Sequence, residues 1–130
     1  MQEDNTAMTP NGEMWFESQL YYADFSTAPI EYQHLFMHEM MHVWQYQHGM
    51  NVKLRGLFSW AVNYKYDFSK NSLRQYSMEQ QASIVADYWL LRKFRFNGYR
   101  NIIKYKRYDK YEDKNILIAK YEKILKGFPE

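Results

Sequence analysis

His38-Glu39-Met40-Met41-His42 spells H-E-x-x-H, and the residues on either side, from Ile30 to about His48, read as one helix. Ser26 or Thr27 can cap its start, Pro29 suits a first turn where a missing N–H costs nothing, and Gly49 is a natural stop. On an α-helix, side chains four apart are turned by about 40° and raised by about 6 Å, so the two imidazoles project side by side and can share one ion. Glu39 occupies the adjacent stripe. It is too far round to be a third ligand, yet close enough to hold a water at the ion and take its proton, the division of labour of zinc peptidases. With four histidines and nine glutamates in 130 residues, chance puts this pattern in roughly one shuffled chain in a hundred.

Zinc in a catalytic site needs a third protein ligand and an open position. His48 follows His38 by ten residues, the spacing of the third histidine in H-E-x-x-H-x-x-G-x-x-H, but Gln45 stands where that pattern places its glycine. If the helix runs on through Gln45, His48 is carried about 15 Å along the axis and about 80° round, out of reach of the same ion. It then reads as a donor near the helix C-terminus. Glu79 is the better third ligand. It opens a second helix, from about Met78 to Phe96, and Ala82, Ser83 and Ala86 continue its face with small side chains that permit close approach. Asp87, two turns on, can orient a ligand histidine by accepting its N–H. His34, one turn before His38, reads as a groove-lining or surface residue. Tyr76, just before Glu79, is the first candidate to donate to the oxyanion of a tetrahedral intermediate.

Outward from these two helices, Thr9-Pro10-Asn11-Gly12 signals a turn, and Glu13 to Phe16, with Tyr21-Tyr22, reads as short strand. Phe58, Trp60, Val62, Tyr64, Tyr66 and Phe68 alternate with mostly polar neighbours, a period-2 pattern that predicts a half-buried strand or hairpin. Either strand would offer an edge for an extended peptide. Ser69 to Ser72 reads as a loop, and Tyr111 to Lys126 as a last helix burying Ile116, Leu117, Tyr121, Ile124 and Leu125. The expectation is one α+β zincin-like domain over residues 1–130: two site helices packed together, a short antiparallel sheet and a C-terminal helix.

The strings His38 to Gln45 (HEMMHVWQ), Met78-Glu79-Gln80-Gln81 and Ala86-Asp87-Tyr88, with the lead-in Thr9 to Gly12 and Asp24-Phe25-Ser26, resemble the small gluzincin-like zinc metallopeptidase domains found at the C-terminus of some type VI secretion spike (VgrG) proteins and near Rhs-type elements. The resemblance covers residues 9 to 90. It implies that His38, His42 and Glu79 bind Zn2+, that Glu39 is the catalytic acid/base, and that the domain is an antibacterial effector toxin that hydrolyses peptide bonds. The partners implied are a peptide or protein substrate, a secretion spike or carrier, and an immunity protein. Ser83 departs from classical Glu-zincins, which carry Asp at the fourth residue after the ligand Glu.

Composition narrows the alternatives. The chain has no cysteine, so disulfides, thiolate metal sites and cysteine nucleophiles are excluded. The first residues are acidic and polar with no apolar segment behind them, so no signal peptide is read, and no apolar run approaches membrane-spanning length. The expected route is synthesis in the cytoplasm and delivery by a secretion system into a target cell, the periplasm being one destination. Arg92 to Lys110 holds eight basic residues against one acid, interleaved with aromatic rings, which suggests a nucleic-acid-binding module as a second reading. A net charge of +2 argues against it as the main role. A zinc-binding but inactive structural module is the third.

Overall fold

The structure, a computed structural model, describes residues 7–8, 15–16, 24–50, 64–94, 102–106 and 111–129. Among the described residues three helices dominate: α1 (Ile30–Gln47), α2 (Met78–Phe94) and α3 (Lys114–Ile124). The expected α+β class is corrected to a helical fold. Strand pairing among the described residues amounts to a two-residue antiparallel ladder, β1 (Ala7–Met8) against β2 (Trp15–Phe16), and one isolated parallel bridge, Tyr66 with Tyr105. Two residues a side cannot form a layer that buries a face. The chain divides into two compact units, Met1–Val62 and Asn63–Glu130.

In the first unit α1 lies near β1 and near a 3-10 turn at Phe25–Thr27. The expected caps, Ser26 and Thr27, serve that turn rather than α1. Asp24 Oδ1 accepts from the Ser26 amide at 3.0 Å and its hydroxyl at 2.6 Å, and Thr27 Oγ1 donates to the Asp24 carbonyl at 2.8 Å. The two Ser26 bonds hold the exposed Asp24 carboxyl below its usual range, the hydroxyl more strongly than the amide. Pro29 is the N-cap, and its carbonyl accepts from Gln33 N at 3.1 Å.

The far end of α1 closes in a Schellman motif. Gly49, at φ 79°, lets Met50 N donate to the Gln45 carbonyl at 3.0 Å and Gly49 N to the Tyr46 carbonyl at 3.1 Å. His48 Nδ1 donates to the Trp44 carbonyl at 2.8 Å, and its ring stacks on Trp44 with centroids 4.0 Å apart. His48 is therefore the C-terminal donor that its spacing suggested.

The second unit is built around α2 and α3. Ser77 and Gln80 form a capping box, the Gln80 amide donating to Ser77 Oγ at 3.1 Å and the Ser77 amide to Gln80 Oε1 at 3.2 Å. Asp113 caps α3 by accepting from Asn115 N at 2.8 Å. Leu117, Tyr121 and Ile124, spaced i, i+4, i+7, are the buried stripe of α3, while Ile116 is 56% exposed, contrary to expectation. One residue off the stripe is about 100° away, which turns Ile116 to solvent.

The predicted strand from Phe58 to Phe68 is described only from Tyr64 onward; residues 58–63 lie outside the described residues. From Tyr64 to Phe68 there is a single bridge and an aromatic cluster in place of a ladder. Tyr66 stacks on Tyr105 with centroids 6.0 Å apart, and Phe68 meets Tyr105 and Tyr121 edge-on at 4.9 and 4.8 Å. Ring packing on α3 and the 102–106 segment thus accounts for the apolar alternation at Tyr66 and Phe68.

Candidate metal centre

The buried face of α1 is polar. His34, His38, Glu39, His42 and Gln45 are buried, and Met41 is the one apolar residue among them. Ile30, Leu35, Met37 and Trp44, apolar residues of the same helix, are half-buried. A helix that turns imidazoles and a carboxylate inward loses their hydration, and that arrangement needs partners to compensate. His38 and His42 sit edge to face, with ring centroids 4.9 Å apart at 76°, as i, i+4 spacing on a helix requires.

Glu79 is 2% exposed in the first turn of α2, and that turn is held tightly. Besides the capping box, Gln81 Nε2 donates to the Tyr76 carbonyl at 3.0 Å and Gln80 Nε2 to the Lys65 carbonyl at 3.0 Å. The two glutamines after Glu79 therefore fix the backbone that carries it. Their short spacing from Ser77 is the signal in the sequence that could have shown this.

His38, His42 and Glu79 each offer one ligand atom within 4.8 Å of the other two. Ligands about 2.0–2.1 Å from a tetrahedral zinc stand roughly 3.4 Å apart, so the set is within reach of one ion. Two imidazoles and one carboxylate, all buried, also match the donor chemistry of catalytic zinc. The residues fit the metal. Glu39, next to His38 in the chain, is buried as well. His34 is buried one turn earlier and is outside the three-residue set, so of its two readings, groove-lining or surface, burial removes the second.

Tyr76 and Asp87, the two remaining site candidates, have hydrogen-bond partners of their own. Tyr76 donates its hydroxyl proton to the Asp67 carbonyl at 2.6 Å and accepts from the Lys70 amide at 3.3 Å, which ties down the loop before α2. Burial raises its pKa. Asp87 is fully buried and takes two donors on Oδ2, the Tyr66 hydroxyl at 2.8 Å and the Lys104 amide at 2.8 Å. Tyr121 hydrogen-bonds to the Tyr66 hydroxyl behind it. Since Tyr66 gives its proton to Asp87, the order is Tyr121 to Tyr66 to Asp87. Burial, and then the Asp87 charge, push both phenols well above their ordinary range. Ser83 Oγ, one turn beyond Glu79, is buried without a hydrogen-bond partner.

One polar contact was not anticipated. His42 Nδ1 lies 2.6 Å from Gln45 Oε1, and both side chains are buried. In the sequence Gln45 stands where the metzincin pattern has glycine, and its i, i+3 relation to His42 is the signal for this contact.

Of the aromatic residues interleaved in the basic segment, Phe94 and Tyr105 are among the described residues. Tyr105 is buried in the aromatic cluster, and Lys93 lies over the Trp89 and Phe94 rings at 5.4 Å from each. Phe96, Tyr99 and Tyr108 lie outside the described residues. Among the described residues no helix is long and apolar enough to cross a membrane.

No protein-family model matches the chain. It is 43% identical over 91 residues to the type VI secretion system spike protein VgrG2b of Pseudomonas aeruginosa, a match that takes in 64% of this chain and 9% of that protein. It also superposes on the solved effector domain of Pseudomonas aeruginosa VgrG2b with a TM-score of 0.63 at 37% identity, covering 79% of this chain and 65% of that domain. Identity at this level over this length marks homology to the VgrG2b effector domain. The chain thus spans a small fraction of the spike protein and about two-thirds of its effector domain.

Proposed function

We propose that this chain is a single zinc-dependent metallopeptidase domain that acts as a type VI secretion effector toxin against bacteria. The observation that carries the catalytic half is the convergence of buried His38, His42 and Glu79 beside Glu39. The delivery half is supported by homology to the effector domain of a secretion spike protein. A spike or carrier protein, an immunity protein in the producing cell and a peptide or protein substrate in the target cell, with the periplasm as one compartment of action, are the partners this reading requires.

His38, His42 and Glu79 would hold the ion, the two imidazoles as neutral ligands and the carboxylate as a balancing charge. Zinc supplies Lewis acidity, which lowers the pKa of water to about 7 and polarises a carbonyl. The protein's own task is to move the proton. Glu39 accepts it from the attacking water as the new O–C bond forms, and returns it to the amine nitrogen as the C–N bond breaks. Burial of Glu39 limits competition from bulk water for that carboxylate.

The test is hydrolysis of an unfolded protein or peptide library by zinc-loaded wild type and by Glu39→Gln. The variant is expected to keep its zinc and to lose roughly 10²- to 10⁴-fold in rate, the usual share of a general base. Wild-type rates in Glu39→Gln would remove Glu39 as the base, and no cleavage by the zinc-loaded wild type would leave a metal-binding structural module as the better account.

A further inference from the structure

The end of α1 contains more than a ligand pair needs. Gln45 is a polar side chain buried on the ligand face, and its amide oxygen meets His42 Nδ1 at 2.6 Å. An amide oxygen accepts and cannot donate, so Nδ1 carries the imidazole proton. In a neutral ring the lone pair then lies on Nε2. The opposite tautomer would put a proton where the ion has to bind.

We propose that Gln45 is a positioning residue that selects the Nδ1–H tautomer of His42 and aims Nε2 into the His38–His42–Glu79 centre. The proposal deepens the zinc reading above and rests on it. The anchor is built into the helix end. The Gln45 carbonyl accepts from His48 N at 3.2 Å and Met50 N at 3.0 Å, the latter made possible by the left-handed Gly49. The backbone of Gln45 is therefore pinned by the Schellman motif, while its side chain reaches back one turn to the histidine. In the related H-E-x-x-H-x-x-G-x-x-H pattern, glycine at this place turns the chain away. Here glutamine continues the helix and serves the second histidine. Partners of this kind, behind a ligand, typically account for about 10- to 100-fold in metal affinity.

Two substitutions separate tautomer control from packing. Gln45→Glu keeps an acceptor at the same reach; Gln45→Met keeps the volume and removes it. Competitive zinc titration, corrected for the folded fraction, is expected to show a loss of about 10- to 100-fold for Gln45→Met and near-wild-type affinity for Gln45→Glu. Equal affinity in all three proteins, or equal losses in both variants, overturns the proposal. Imidazole 15N shifts of the zinc-free wild type give a readout that needs neither metal nor activity. They are expected to show His42 protonated at Nδ1, and a ring protonated at Nε2 overturns the proposal even if Gln45→Met fails to fold. If the wild type takes up no zinc while His42 is still protonated at Nδ1, it is the zinc reading that fails, and Gln45 remains the partner that sets the tautomer.

Discussion

Glu79 and Asp87 are carboxylates two turns apart on one helix, both sealed from solvent, and they are surrounded by opposite kinds of groups. Asp87 faces protons: a phenol with a second phenol behind it, and a backbone amide. Two donors converge on one of its carboxylate oxygens, which ties α2 to Tyr66 and to the 102–106 segment. Glu79 gathers with two imidazoles, so lone pairs converge on a small volume, and a cation is the natural complement. The same side-chain type on the same helix therefore gives architecture at one level and chemistry at the other. What decides is whether the neighbours bring protons or lone pairs.

That contrast can be broken most forcefully at Asp87. Asp87→Ala leaves the Tyr66 hydroxyl and Lys104 amide without this acceptor, and each unsatisfied buried group costs about 1–3 kcal/mol, so denaturant unfolding should show a loss of about 2–6 kcal/mol. Zinc bound per folded chain should stay unchanged. If zinc falls together with stability, Asp87 supports a ligand histidine as the sequence suggested, and the two clusters are one system.

A gentler probe is alkaline pH. Tyr66 and Tyr121 have raised pKa values in the folded protein, while in the unfolded chain a tyrosine releases its proton near 10. Their contribution is therefore complete below about pH 10 and is lost as pH rises from there towards the folded pKa values, by about 1.4 kcal/mol per pH unit for each tyrosine. Stability measured between about pH 10 and 11 should fall accordingly, and Tyr121→Phe should remove about half of that slope. An unchanged slope would remove Tyr121 from the cluster.

Much of the site was legible because helical spacing is rigid. H-E-x-x-H on a helix places two histidines together whatever the rest of the chain does, Gly49 stopped α1 where expected, and Glu79 fell in a first turn. What was not legible depended on partners far away in sequence. The alternation at Tyr66 and Phe68 looked like a strand because aromatic side chains spaced by two suit a pleated sheet as well as they suit a ring cluster. Only the positions of Tyr105 and Tyr121 decide between the two. Tyr76 was available as an oxyanion donor until the Asp67 carbonyl claimed its proton. Ile116 looked apolar and buried, yet Leu117 set the phase of α3. Gln45 was noticed for the glycine it replaces, since an amide's role depends on which ring nitrogen faces it.

The proposed centre stands or falls on whether His38, His42 and Glu79 together hold one zinc ion. Native mass spectrometry of the purified chain, alongside Glu79→Ala, reads this without any substrate. One zinc per wild-type chain is expected, and none retained by a folded Glu79→Ala. A wild type without stoichiometric zinc, or a variant that keeps it, would rule out the three-residue centre.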